Sequence, residues 1–166
     1  MIVVLMGVSG SGKTTIGTAL AERIGAQFAD ADDFHPAANK AKMAAGQALT
    51  DEDRQPWLQT LNRLLRGWFE AGTEGILACS ALKQSYRATL LQGIPDGPLQ
   101  FVLLDGSKEL IASRLAGRHH AFMNPHLLES QLQTLEVSED VVRVCNDRSS
   151  QVVVDEVLAK LKEREN

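Results

Sequence analysis

Eight consecutive residues near the start of the chain, Gly7-Val-Ser-Gly-Ser-Gly-Lys13-Thr14, are the first whose types and spacing could do chemistry. They fit the pattern G-x-x-x-x-G-K-[ST] at every fixed position. Glycines at this spacing let successive backbone N–H groups point inward as a nest for an anion. A helix beginning at Lys13 adds the positive end of its dipole. The ligand suited to such a loop is a phosphate chain. Lys13 would reach the β- and γ-phosphates, and Thr14 would offer its hydroxyl to Mg²⁺. The expected ligands are ATP or GTP with Mg²⁺. The expected nucleotide-binding set is Gly7, Val8, Ser9, Gly10, Ser11, Gly12, Lys13, Thr14 and Thr15. An Asn-Lys-x-Asp run for reading guanine is absent, since Asn39-Lys40 is followed by Ala41-Lys42. A small kinase needs instead a second site facing the γ-phosphate and a mobile cationic lid.

Asp30-Ala-Asp32-Asp33 closes the second apolar run and supplies carboxylates for that second site. Alternation on a strand would put Asp30 and Asp32 on one side, at the sheet edge where ligands sit. One carboxylate can hold Mg²⁺ through water while the other orients or deprotonates an attacking hydroxyl. Asp32 is assigned to the hydroxyl and Asp30 to the metal shell, with the reverse division still open. The competing role is capping of the next helix, which is expected of Asp33. Arg114 and Arg118 lie four apart, so they share a helix face and lead into His119-His-Ala-Phe-Met123. They suit a lid over about 117–126 that closes on the nucleotide and neutralises charge as the phosphoryl group moves. A basic helix end complementing the dipole is an equal alternative for the pair. Lys13, Asp32 and Arg118 form the expected catalytic set. His119 and His120 lack a third ligand at metal spacing.

Short apolar runs alternate with amphipathic stretches, which predicts an α/β fold with a parallel sheet covered on both faces. Strands are expected at Ile2–Met6, Gln27–Ala31, Gly75–Cys79, Gln100–Leu104 and Val141–Cys145. Helices are expected at about Lys13–Ile24, Leu82–Leu91, Lys108–Ala116, Pro125–Leu135 and Gln151–Glu163. Another follows Thr50, where Trp57, Leu58, Leu61, Leu64, Leu65, Trp68 and Phe69 make one apolar stripe. Thr50 and Asp53 have the spacing of a capping box. Phe101-Val-Leu-Leu-Asp105 looks like a metal-binding strand end. The strand order usual for small P-loop kinases would instead put the Gly75 strand beside the loop strand, with Ser80 at the phosphates and Asp105 in a turn.

With 166 residues, 44% hydrophobic and 23% charged, the chain is expected to form one globular domain over 1–166. A net charge of −4 argues against nucleic acid as partner. No stretch approaches the length of a membrane span. Met1–Met6 has no basic residue before it and runs straight into Gly7, so a secretion leader is not expected. Cys79 and Cys145 read as buried reduced thiols, and the expected compartment is the cytoplasm.

From about Val4 to Glu136 the residues resemble the gluconokinases, small P-loop sugar-acid kinases. The signature runs Asp30-Ala-Asp32-Asp-Phe-His35-Pro36, then Asn39, Lys42-Met43, Gly46 and Asp53-Arg54-Gln-Pro56-Trp57-Leu58. Cys79-Ser80-Ala81-Leu82-Lys83 through Arg87 resembles a second family block, and Leu127 through Glu136 a third. The resemblance implies a three-layer P-loop kinase fold of nucleoside-monophosphate-kinase type, with a five-stranded parallel sheet and an acceptor-binding helical region over about 33–72. It implies transfer of the ATP γ-phosphoryl group, with Mg²⁺, to the 6-hydroxyl of D-gluconate. The acceptor's carboxylate then needs cations, supplied by Arg54, Lys83 and Arg87. Its hydroxyls need polar partners, supplied by His35, Ser80 and Gln131. Members of the family are often homodimers.

The sequence departs from the family at three points. The lid pattern Arg-x-x-His-Phe-Met has Ala121 before Phe122, and Ala31 and Ala48 stand where Gly and Pro are expected. A shikimate-kinase-like protein is the nearest enzymatic rival. It would carry a glycine-rich turn where this chain has Ser80-Ala-Leu-Lys83. A nucleoside-monophosphate kinase fits less well, because the acceptor region lacks that family's pattern. An ATP-binding regulator without turnover is the non-enzymatic alternative, resting on Ala121.

Overall fold

The computed structural model describes residues 1–116 and 125–166. At its centre lies β1 (Ile2–Met6), with every residue buried. A strand without polar alternation must be covered on both faces. Ile2, Val4 and Met6 face one helical layer, and Val3 and Leu5 face the other. The remaining strands are β2 (Gln27–Asp30), β3 (Gly75–Ala78), β4 (Leu99–Asp105) and β5 (Val141–Cys145). All pair in parallel in the order β2-β3-β1-β4-β5. β3 therefore lies beside β1 on the side towards β2, as the usual order requires. Asp105 is not the expected turn residue: it is the last residue of β4, in register with Cys145 of β5. Its carboxylate accepts the Gly106 N–H at 2.9 Å and an Arg143 N–H at 2.7 Å.

One layer is built by α3 (Asp51–Ala71) and α4 (Gln84–Leu91). The stripe of α3 buries Trp57, Leu58, Leu61, Leu65 and Trp68 against β1 and β3, with Leu64 and Phe69 at its margin. The opposite layer is α1 (Lys13–Ile24) and α7 (Ser150–Glu165), which bury Ile16, Leu20, Val153, Val154 and Val157 against Val3, Leu5 and Val102. Gly25 ends α1 in the left-handed region at φ 68°. Between β2 and α3 stand a 3₁₀ turn (Ala31–Phe34) and α2 (Ala37–Ala44); α5 (Lys108–Ala116) and α6 (Pro125–Thr134) flank residues 117–124. No helix among the described residues is long and apolar enough to cross a membrane.

Local chemistry accounts for two boundaries. The second strand stops at Asp30 instead of Ala31, because the Asp30 carboxylate accepts the Asp32 N–H at 3.0 Å and turns the chain into the 3₁₀ segment. Asp32 therefore reaches its place from a turn, and strand alternation is not what brings it beside Asp30. The expected cap, Asp33, is not the capping residue: Asp30 caps the 3₁₀ turn, and Pro36 precedes α2. At the start of α3, Thr50 Oγ1 accepts the Asp53 N–H at 3.1 Å while Asp53 Oδ2 accepts the Thr50 N–H at 2.9 Å. Aspartate thus completes a capping box that glutamate usually completes. Asp53 also accepts from Lys42 Nζ at 2.7 Å, tying α2 to α3. The two cysteines differ. Burial pushes the Cys79 thiol up to about 12, whereas Cys145 is exposed, which corrects its expected burial.

Candidate active site

The loop from Gly7 to Gly12 leaves the end of β1 and enters α1 without a side-chain cap, so the first-turn N–H groups of α1 are left for a ligand. Gly12 has φ +96°, and a Cβ there would fall 2.2 Å from Asn146 Nδ2. Glycine is required by both the dihedral and the neighbour. Val8 anchors the loop by packing among Leu82, Ile111 and Leu128. The Ser11 hydroxyl is buried and has no hydrogen-bond partner. Lys13 Nζ folds back to donate to the carbonyls of Gly7 at 2.9 Å and Val8 at 3.2 Å. This nest, with a lysine lying across it, fits a phosphate chain. Thr15 follows in the first turn of α1.

The loop after β5 braces this nest. Asn146 is 5% exposed, and its Nδ2 donates to the Ser11 carbonyl at 2.7 Å. Arg114 Nη2 donates to the Asn146 carbonyl at 2.6 Å. Its Nη1 is buried without a partner. Arg114, in the last turn of α5, is thus held against the loop after β5 that braces the nest, and its place suits a helix-end charge as well. Gln131, on α6, also meets this loop: its Oε1 accepts the Ser9 N–H at 2.8 Å and its Nε2 donates to Ser9 Oγ at 3.2 Å. That places Gln131 on the phosphate side, where an acceptor role was expected. Arg118 and the expected lid residues 117–124 lie outside the described residues.

Beside the nest stand the carboxylates. Thr14 Oγ1 donates to Asp30 Oδ2 at 3.0 Å. A hydroxyl and a carboxylate in contact at the loop are hard oxygen donors of the kind Mg²⁺ takes together with phosphate oxygens. Asp32 has its carboxyl raised above the usual range, first by burial and then by the charge of Asp30, with Lys13 pulling the other way. Asp32 is thus within electrostatic reach of both the metal-side carboxylate and the loop lysine.

Trp57 links these aspartates to the acceptor side. Its indole N–H donates to the Ala31 carbonyl at 2.7 Å, and its ring stacks on His35 at 4.3 Å between centroids and 12° between planes. Asn39 Nδ2 donates to the Asp53 carbonyl at 2.8 Å and lies 3.3 Å from His35 Nδ1. Because an amide nitrogen only donates, Nδ1 accepts and the neutral ring carries its proton on Nε2. Burial first, then the charges of Arg54 and Lys40, push the His35 pKa down to about 4. The imidazole is a neutral donor at neutral pH.

Arg54 and Lys83 converge on Tyr86. Arg54 Nη1 donates to Tyr86 Oη at 3.2 Å and to the Leu49 carbonyl at 2.8 Å. The Arg54 guanidinium and Lys83 Nζ lie 5.6 and 5.5 Å from the tyrosine ring centre. A carboxylate already joins them: Asp51 accepts from Tyr86 Oη at 2.5 Å and from Lys83 Nζ at 3.3 Å. Ser80 lies at the loop, where its carbonyl accepts the Gly7 N–H at 3.4 Å. Arg87 is not brought to this cluster. It is 2% exposed, and its Nη1 and Nη2 donate to the carbonyls of Ala81 and Glu136, both at 2.8 Å. The expectation that it meets a substrate carboxylate is corrected by that burial. Sequence reasoning missed Asp51, Tyr86 and Asn146. Asn146 was within reach of the rule that ligands gather at the carboxyl ends of parallel strands, since it follows β5 directly.

The five-stranded parallel sheet and the glycine-rich loop at the end of its central strand define a P-loop kinase. A family model described as an AAA domain matches residues 2–138, taking in every strand but β5. The gluconokinase of Gluconobacter oxydans is 48% identical over 158 residues, spanning 93% of this chain and 88% of its own. The crystal structure of a gluconokinase from Sinorhizobium meliloti superposes with a TM-score of 0.86 at 41% identity, covering 97% of this chain and 91% of that one. A shikimate kinase from Aquifex aeolicus covers 99% of this chain and 98% of its own, with a TM-score of 0.64 at 18% identity, a likeness of fold alone. The chain belongs to the gluconokinase family and, like that family, is an enzyme.

Proposed function

We propose that this enzyme transfers the γ-phosphoryl group of ATP to the 6-hydroxyl of D-gluconate, giving 6-phospho-D-gluconate and ADP, with Mg²⁺. The observation that carries the reading is the position of Asp32. Its carboxylate, open to solvent at the end of the sheet, stands in the field of Lys13 and lies three residues from His35, which feels Arg54 in turn. The nest at Gly7–Thr14 and Lys13 hold the phosphates. Thr14 and Asp30 hold the metal, which when bound supplies charge neutralisation to the phosphates. Asp32 accepts the proton of the attacking hydroxyl. His35 donates from Nε2 to an acceptor hydroxyl, and Arg54 and Lys83 take the acceptor's carboxylate. Arg114 approaches the nucleotide from the loop side, and Arg118 belongs to the closing lid.

This reading includes a cytoplasmic enzyme, supported by its free cysteines, and a homodimer, to be checked by light scattering. The test of function is ADP release from Mg-ATP in a coupled assay, with gluconate, shikimate, other aldonates and no acceptor in parallel. Release with gluconate is expected, and Lys13→Ala should abolish it in a folded protein. Release with shikimate alone, or from no acceptor, would overturn the assignment.

A further inference from the structure

The two cations that face a sugar acid in the proposed reaction already hold a carboxylate of the chain itself. Asp51 Oδ1 lies 3.8 Å from Arg54 Nη1 and 3.3 Å from Lys83 Nζ. The same oxygen accepts the Tyr86 hydroxyl at 2.5 Å. Asp51 is the first residue of α3, after the Thr50 cap, so its backbone is fixed by the helix while its side chain is 64% exposed. An ion pair this exposed is weak, because water and salt compete for both partners. It can be exchanged for another carboxylate without a penalty that would prevent binding.

We propose that Asp51 is an internal stand-in for the acceptor's carboxylate, released when a sugar acid binds Arg54 and Lys83, and that this exchange selects acids over neutral sugars. The proposal rests on the reading of the acceptor as a sugar acid. An acid replaces one carboxylate with another, so both cations stay paired. A neutral polyol has nothing to offer in exchange and must compete with an intact ion pair for the same space. Selectivity then comes from an element that opposes the wrong ligand as well as from one that attracts the right one. Tyr86 joins the two states. Its ring lies beside both cations, and its hydroxyl bonds to whichever carboxylate is present. The lowered pKa of Asp51, caused first by the Tyr86 hydrogen bond and then by Lys83, agrees with a carboxylate held ionised in this place.

Tyr86 is the chain's single tyrosine, so ring-labelled tyrosine gives one reporter at the exchange site. Gluconate and sorbitol, which lacks the carboxylate, would be titrated against the wild type, Asp51→Asn and Asp51→Glu while the Tyr86 resonance is followed. Gluconate should move that signal in the wild type and sorbitol should not. In Asp51→Asn the gluconate Kd and KM should fall roughly three- to tenfold, the scale of a few weak exposed pairs. The change in KM should exceed that in kcat, and Asp51→Glu should restore values near wild type. A rise in gluconate Kd in Asp51→Asn would make Asp51 a direct holder of substrate and overturn the proposal. An unchanged Kd, or a Tyr86 signal that gluconate does not move, would do the same. Movement of Tyr86 by gluconate without ADP release would sink the kinase reading and leave the exchange standing. Turnover of gluconate with Tyr86 unmoved would do the opposite.

Discussion

The indole N–H of Trp57 donates to the carbonyl of Ala31 across 2.7 Å, and Ala31 is the residue between Asp30 and Asp32. A residue of the core stripe of α3 thereby holds the peptide that spaces the two aspartates. The other face of the contact is His35, stacked on the same ring. The register of α3 against the sheet is transmitted through one side chain to the metal-side carboxylate, the proposed base and the proposed hydroxyl donor.

Trp57→Phe keeps most of the ring and removes only the donor. The buried Ala31 carbonyl would lose its partner, which costs about 1–3 kcal/mol. Thermal unfolding should show that loss. Loosening between Asp30 and Asp32 should also lower kcat several-fold while the ATP KM stays within about twofold, since the phosphate loop is not touched. An unchanged kcat would show that the aspartates are held by other contacts.

Arg87 belongs to the architecture. Its guanidinium bridges the Ala81 carbonyl in the loop after β3 to the Glu136 carbonyl in the loop after α6. Ala81 sits in the left-handed region at φ 44°, which a non-glycine residue holds only when its surroundings fix it. Arg87→Ala should cost about 2–4 kcal/mol of stability, because buried carbonyls lose a charged donor. A selective rise in the gluconate KM with an unchanged melting temperature would return Arg87 to the substrate site.

The difference between Arg87 and Arg54 shows where sequence reasoning runs out. Both are arginines in family blocks with polar neighbours. Spacing along a helix tells which residues share a face, and nothing about what that face meets. Arg87 is buried by Glu136 and Ser138, about fifty residues further along the chain. By contrast, β1, α1 and β5 have the bounds that periodicity and the glycine signals predict. Their causes are local: apolar runs, and glycines at the loop and at Gly25. The loop nest was legible for the same reason. Asp51 was hidden because its meaning lies in Tyr86 and Lys83, which reach it from another element, and Trp57 because its stripe already accounted for it as core.

His35 makes stability depend on pH. Its folded pKa of about 4 lies below the ordinary 6.5, because burial and the Arg54 charge disfavour the imidazolium. The unfolded chain therefore binds the proton first. The contribution of His35 is fully present above about pH 6.5 and is lost as pH falls towards 4, amounting to about 2–3 kcal/mol. Denaturant unfolding of the wild type and His35→Gln should show this component in the wild type alone. Equal pH slopes would mean that the ring is readily protonated in the fold.

Asp32 has the opposite sign, and its function explains why the chain keeps it. Burial and the neighbouring Asp30 raise its carboxyl above the usual range, so the folded protein binds its proton more tightly than the unfolded chain. Its contribution to stability is present below the ordinary carboxylate pKa and is lost as pH rises through the raised one. At neutral pH the ionised form is a small cost to the fold. Asp32→Asn should lower kcat by about 10²- to 10⁴-fold, the range for loss of a general base, with little change in melting temperature because solvent screens an exposed carboxylate. A base must be unprotonated to act, so the wild-type kcat should rise with pH along an acid limb above the usual carboxylate range. Asp30→Asn removes the nearest like charge and should move that limb to lower pH in whatever activity remains. A limb that stays in place would show that burial alone sets the Asp32 carboxyl. A kcat in Asp32→Asn equal to wild type would take Asp32 out of the proton transfer.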